Sequence, residues 1–219
     1  IMKTIIEKID KNQKNTDIIR EAGRILKEGG LVAFPTETVY GLGADALNED
    51  AAKKIYAAKG RPSDNPLIIH ITNMKALDKI VSEVPEKAVK VAEKYWPGPL
   101  TMIFNKSDIV PYGTTGGLDT VAVRMPVDEI AREVIDAGGG YIAAPSANTS
   151  GRPSPTTAQH VAEDLTGRVD MIVDGGAVEI GVESTILDVT VEPPMILRPG
   201  AITKEMFEEV IGEVTVDRT

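Results

Sequence analysis

The chain is built on short apolar runs that are each cut off by proline, glycine or a polar loop: "LVAFP" at 31–35, "PLIIHI" at 66–71, "LTMIF" at 100–104, "TVAVRMP" at 120–126, "YIAAP" at 141–145, "DMIVDGG" at 170–176, "STILDV" at 184–189 and "MILRP" at 195–199. Continuous runs this short, rich in β-branched residues and ended by turn formers, read as buried strands rather than helices. Segments of helical period lie between them. In "TDIIREAGRILKEGG", Ile18, Ile19, Ala22, Ile25 and Leu26 recur at helical spacing, with Thr16 or Asp17 as cap and Gly29 or Gly30 as stop. "NEDAAKKIYAAK" predicts a helix from Asn48, and "MKALDKIVSEVP", "EKAVKVAEKYWPG", "VDEIAREVIDAGG" and "TKEMFEEVIG" predict four more. About seven strands interleaved with about five or six helices place the chain among the α/β or mixed α+β layered folds.

A length of 219 residues with 42% hydrophobic content is enough for one full core, so residues 1–219 are expected to form one domain. The final "EVTVDRT" is compatible with either a terminus or the start of a linker to a second domain. There is no cysteine, which excludes disulfides and thiolate metal sites and makes the cytoplasm the expected compartment. No apolar run approaches the roughly 20 residues of a membrane span, so a soluble protein without membrane contact is expected. The net charge of −9 argues against a surface that grips nucleic acid as a whole, and any polyanion must be met locally. Acidic residues gather in "EDAAKK" and "TKEMFEEVIGEV", where they read as solvated helix faces.

The loops are less ordinary. "PTETVYGLG", "KGRPSDNP", "PSANTSGRPSP" and "GVEST" each adjoin a predicted strand, where open α/β sheets place ligands. Familiar signatures fail in them. No Gly-Lys dipeptide exists, so there is no Walker A loop. "GLGADA" at 41–46 matches G-x-G-x-x-A but lacks the strand-to-helix turn that a dinucleotide site needs. His70 and His160 are the only histidines, and no protein-built metal site is expected. "PSANTSG" is not a nucleophile elbow.

In "KGRPSDNP", Pro62 and Pro66 fix φ and push their preceding residues out of the helical region, so Lys59 and Arg61 are expected on an ordered, non-helical arm. Rigid cations of these two kinds suit phosphate or carboxylate; the same residues also suit a turn that caps the carbonyl end of the preceding helix. His70 shares a strand face with Ile68, opposite Ile69 and Ile71, which fits a ligand contact or a hydrogen-bonded core residue equally. Thr36 and Thr38 alternate in "PTET", as do Ser146 and Asn148 in "PSAN". Such side chains satisfy turn backbone or, set beside Lys59 and Arg61, complete a polar pocket.

"FPTETVYGLGADA", "KGRPSDNPLIIHI", "PGPLTMIF", "TVAVRMP", "APSANTSGRPSPT", "GVESTILDV" and "ILRPGAIT", in this order, resemble the YrdC-like threonylcarbamoyl-AMP synthases from about Ile18 to Ile202. The resemblance implies a twisted open sheet of mixed strand direction, flanked by helices around a concave ligand cleft. It implies synthesis of L-threonylcarbamoyl-AMP from L-threonine, bicarbonate or CO2, and ATP with its Mg2+, releasing pyrophosphate. A transferase complex would then modify tRNA adenosine, and a weak contact of this chain with tRNA is conceivable. By the same likeness Lys59 and Arg61 form the family's KxR element and act in catalysis, and Ser146 and Asn148 form its SxN element. Thr36, His70, Arg124 and Ser184 would line the threonine side. Lys59, Ser63, Thr120, Ala144, Ser146, Asn148, Ser154 and Arg198 would contact ATP.

Two rival functions are a module that binds double-stranded RNA or tRNA, and a carbamoyl-adenylate enzyme like the YrdC-like domain of hydrogenase-maturation carbamoyltransferases. The second belongs to long chains with zinc-finger modules, for which this sequence has no cysteines.

Overall fold

The computed structural model describes residues 2–63 and 65–219. In chain order its elements are β1 (Ile5–Lys8), α1 (Thr16–Lys27), β2 (Val32–Pro35), β3 (Tyr40–Asp45), α2 (Glu49–Lys59), β4 (Ile68–His70), α3 (Met74–Ile80), α4 (Glu86–Tyr95), β5 (Leu100–Asn105), α5 (Tyr112–Thr115), β6 (Thr120–Arg124), α6 (Glu129–Ala137), β7 (Ile142–Ala143), α7 (Ala158–Leu165), β8 (Met171–Asp174), β9 (Thr185–Asp188), β10 (Met195–Arg198), α8 (Lys204–Ile211) and β11 (Thr215–Val216). The strands join one open sheet in the order β1-β8-β2-β3-β7-β4-β6-β5-β9-β10-β11. Pairing is mixed: β4 runs parallel to β6 and β5 to β9, whereas β3 with β7, β4 with β7, β5 with β6, and β9 with β10 are antiparallel.

The α/β class holds, with eleven strands among the described residues in place of about seven. The additional ones give weak local signals. β1 is exposed at all four of its residues and so shows no alternation. β11 has two residues. β3 contains Gly41 and Gly43, which argue against a strand by propensity. Gly43 is there for space: a Cβ would lie 2.6 Å from Phe34 Cε1 on the paired strand. "GLGADA" is therefore strand, not a phosphate loop. Helices α5 and α7 also went unread, and α1 starts from Asn15 rather than Thr16 or Asp17, without a side-chain cap because Asn15 bonds back to Asp10 instead. Asn48 caps α2 as expected, accepting from Ala51 N–H at 3.2 Å.

What positions the site is the unequal covering of the two sheet faces. Register puts Val121, Val123, Ile69, Ile71, Met102, Phe104 and Leu187 on one face, all buried in the main core. On the opposite face, α1 and α6 cover only the β8-β2-β3-β7 half, through Leu26, Phe34, Val134, Ile135 and Ile142. The β4-β6-β5-β9 half of that face has no such cover, and Ile68, Thr120, Ala122, Ile103, Ile186 and Asp188 remain half-buried there. A sheet face left half-open beside a helical layer forms a natural cleft.

Candidate active site

The first cation cluster is made by the end of α2. Gly60 adopts φ +64°, its N–H returns to Ala57 O, and the N–H of Arg61 returns to Tyr56 O at 3.1 Å. This left-handed glycine ends the helix and reverses the chain. Lys59 is thus the last helical residue, and only Arg61 stands on the non-helical arm, a correction to the sequence expectation for Lys59. Nor does Lys59 cap its own helix: its Nζ donates across to the carbonyl of Ser146, and its own carbonyl accepts from Ser150 N–H at 2.7 Å. The "PSAN" segment is fixed in turn by its neighbours: Leu42 N–H donates to Pro145 O at 2.7 Å, and Ala147 N–H donates to Tyr40 O at 2.9 Å. Asn148 Nδ2 donates to the carbonyls of Thr149 and Arg152, leaving its buried Oδ1 without a partner.

Burial pushes the Lys59 ammonium down to about 8, with nearby Arg61 adding to the shift and Asp164 opposing it. Arg61 lies with its guanidinium carbon 5.6 Å from the centre of the Tyr56 ring, and its buried Nε has no partner.

The second cluster is built on the open sheet half. His70 and Arg124 are register partners on β4 and β6, and Thr101 pairs with Arg124 from β5. Ser184 precedes β9 and meets Thr101 hydroxyl to hydroxyl at 3.2 Å. From β10, Arg198 donates to the carbonyl of Ser184 at 2.8 Å and to its hydroxyl at 3.2 Å. His70 is buried, with Nδ1 3.0 Å from Ile68 O; burial, then the Arg124 charge, hold its pKa down at about 4, so the ring is neutral at pH 7. Arg124 and Arg198 are close enough that the Arg198 charge lowers the Arg124 pKa, second in kind to the larger effect of burial and opposed by Glu37. The Nε atoms of Arg124 and Arg198 are both buried and unpartnered. Three guanidinium groups, those of Arg61, Arg124 and Arg198, keep a buried Nε–H without a partner, a donor that suits a carboxylate or phosphate oxygen.

The two clusters meet through β7, whose Ile142 pairs with His70 and whose continuation carries Ala144 and Ser146 past Gly41. Thr36 is buried at the corner beside them, its hydroxyl donating to Val39 O at 2.6 Å. Other predicted residues lie further out. Ser63 and Ser154 are exposed on their loops, and Thr120 is four residues up β6 from Arg124, about 13 Å at the strand rise. A cavity of about 1420 Å³ between α1, α6 and the Gly175–Glu179 segment takes in Thr36 but none of the other predicted residues. It is lined by charges of both signs. Among the described residues no three His, Asp or Glu side chains converge on a metal position, and no helix is long and apolar enough to cross a membrane.

Two residues at the site were not singled out from sequence. Thr101 had a signal: alternation in "LTMIF" puts a hydroxyl opposite Leu100 and Met102. Glu37 sits between the two threonines of "PTET"; its carboxylate pairs with Arg124 Nη2 and accepts from Val127 N–H at 3.0 Å and Asp128 N–H at 2.8 Å.

Comparison with known proteins identifies the family. The Sua5/YciO/YrdC family model, described as telomere recombination, matches residues 24–200. The threonylcarbamoyl-AMP synthase of Pyrococcus abyssi is 58% identical over 198 residues, covering 90% of this chain and 58% of the relative, and that of Bacillus subtilis is 53% identical over 214 residues, covering 97% and 62%. The chain therefore spans about three fifths of the length of these curated relatives. A crystal structure of P. abyssi Sua5 complexed with L-threonine superposes with a TM-score of 0.87 at 54% identity, over 99% of this chain and 62% of that one. With a family model over most of its length and relatives this similar, the chain belongs to the Sua5/YciO/YrdC family.

Proposed function

We propose that this chain synthesises L-threonylcarbamoyl-AMP from L-threonine, bicarbonate or CO2, and ATP, releasing pyrophosphate. The observation that carries the reading is the pair of buried, unpartnered Nε atoms on Arg124, from the half-open sheet half, and on Arg198, from β10, with a third on Arg61 just after α2. The relatives named threonylcarbamoyl-AMP synthase, and the threonine complex of the P. abyssi protein, supply the chemistry that such a face would serve.

The reaction needs no protein nucleophile. The amine of threonine adds to the carbon of CO2, forming an N–C bond and a carbamate; a carbamate oxygen then attacks the α-phosphorus of ATP while the bond to the bridging oxygen breaks and pyrophosphate leaves. Carbamates are short-lived in water, so the domain contributes chiefly by orientation and water exclusion, effects that reach several kcal/mol. The second cluster, Arg124, Ser184, His70 and Thr36, is assigned to the amino acid. A neutral His70 offers a hydrogen bond without adding charge beside Arg124. Lys59 and Arg61, with Ser146, Asn148, the Ala144 backbone and Arg198, are assigned to the nucleotide, where their charge offsets that on the departing pyrophosphate. Ser63 and Ser154 complete the ATP set only if their loops move inward, whereas Thr120, fixed on β6, would meet the nucleotide where it stands. Mg2+ enters with the triphosphate, as part of the substrate. The product's mixed anhydride suits transfer to tRNA by a downstream complex, with tRNA contact by this chain itself secondary.

The test is mass spectrometry of products after incubation with ATP, threonine and bicarbonate. A threonylcarbamoyl-adenylate that disappears in Lys59→Ala and Arg61→Ala supports the assignment, and unchanged turnover in both variants contradicts it. An RNA-binding module would instead bind tRNA with steep salt dependence and consume no ATP.

A further inference from the structure

Glu37 has no part in the scheme above, yet its carboxylate is held from both ends. One oxygen pairs with Arg124 Nη2; the other accepts the two backbone N–H groups of Val127 and Asp128, at 3.0 and 2.8 Å, where the chain enters α6. Those donors belong to a helix entry, where a carboxylate is stabilised and fixed in direction. The adjoining corner is rigid too: Thr36 Oγ1 donates to Val39 O and accepts from the Val39 and Thr38 N–H groups, each at 3.2 Å. Glu37 thereby ties Arg124, on β6, to the loop that carries Thr36 and to α6.

The tie decides which guanidinium nitrogen is available. Nη2 is occupied by Glu37, while Nε is buried and unpartnered. Arg124 also has Arg198 as a like-charged neighbour. Without Glu37, the buried Arg124 would keep its like-charged neighbour Arg198 with no counter-charge and would lose the contact that sets its orientation. We propose that Glu37 is a positioning residue: it aims the free edge of Arg124 at the carboxylate of the amino-acid substrate and thereby sets affinity for that substrate and not for the nucleotide. This rests on the synthase reading.

The experiment measures KM for threonine and for ATP by pyrophosphate release, with threonine binding followed by calorimetry, in the wild type, Glu37→Gln, Glu37→Asp, Arg124→Ala and the double variant Glu37→Gln/Arg124→Ala. Glu37→Gln is expected to raise the threonine KM on the order of tenfold to a hundredfold and the ATP KM less than about twofold. Glu37→Asp, shorter but charged, should fall between Glu37→Gln and the wild type; a role in hydrogen bonding alone reverses that order, because glutamine is the closer shape, and would overturn the proposal. In the Arg124→Ala background Glu37→Gln should change threonine binding less than about twofold. Additive losses, or equal losses in both KM values, would mean a purely structural bond and end the proposal. If Glu37→Gln does not fold, the Glu37→Asp and Arg124→Ala pair still decides, by whether the threonine KM alone moves. A wild type that neither binds threonine nor makes adenylate defeats the synthase reading and this inference together; an active wild type with an indistinguishable Glu37→Gln defeats the inference alone.

Discussion

Lys59 should make stability and activity respond to pH in opposite directions, and replacing it by methionine should remove its contribution to the stability response. Lys59 is 3% exposed, and its pKa drops from an ordinary 10.5 to about 8 because burial penalises the charged form. The fall from 10.5 to about 8 means that the folded domain carries a cost of about 3 kcal/mol for holding this ammonium charged at neutral pH. The sign follows from proton counting. Below pH 8 folded and unfolded chains both hold the proton, so the cost is constant. Between about pH 8 and 10.5 the unfolded chain keeps a proton that the folded one has released, and stability contributed by this group rises with pH. Methionine has similar length and no charge, so the variant lacks the effect. Urea unfolding of both proteins from pH 7 to 10.5 should show the variant's advantage shrinking by about 3 kcal/mol across that window. Activity should run the other way. The charged fraction of Lys59 falls from about 0.9 at pH 7 to about 0.09 at pH 9, so kcat/KM for ATP, which reports groups of the free enzyme, should drop about tenfold. Stability differences that stay parallel over the window, or wild-type kcat/KM that is flat to pH 9, would refute the argument that a buried, charged Lys59 grips the nucleotide.

Three further substitutions follow from local geometry. Gly60→Ala meets nothing within 4 Å and must still hold φ +64°, so it should cost on the order of 1–2 kcal/mol in thermal or urea unfolding through the backbone alone, while loosening the placement of Arg61. Gly43→Ala brings a Cβ to 2.6 Å from Phe34 Cε1 and 3.1 Å from Val32 O, and should cost about 1–3 kcal/mol by overpacking, measurable as a lowered urea midpoint. Thr101→Val removes a fully buried hydroxyl from Ser184 and should raise the threonine KM severalfold with the ATP KM unmoved; an equal change in both would place Thr101 outside the amino-acid side.

Much of this protein is legible before any coordinates. Strands such as "LTMIF" and "TVAVRMP" are apolar and bounded by proline or polar loops, so their short run length predicts them. Helix α2 announces its start with Asn48, whereas its end at Gly60 came from the structure. β3 was hidden because its glycines answer to the Phe34 ring on the neighbouring strand, a contact that no local propensity records. β1 and β11 were hidden because, at the sheet edges, neither shows a buried face.

The amino-acid order alone determined the layered class, the polar strand-end loops and the cationic pair Lys59 and Arg61, because hydrophobic period, proline and glycine act over a few residues. Which of those loops share one face was decided only by the sheet order, which sets β4, β6, β5 and β9 side by side although they come from distant parts of the chain. The same order leaves half of one face without helices, so Arg124 and Arg198 are buried at their stems with no built-in partner for Nε. The ties of Glu37 to Arg124 and of Lys59 to Ser146 span 87 residues each, a separation over which only the folded sheet can bring charge and counter-group together.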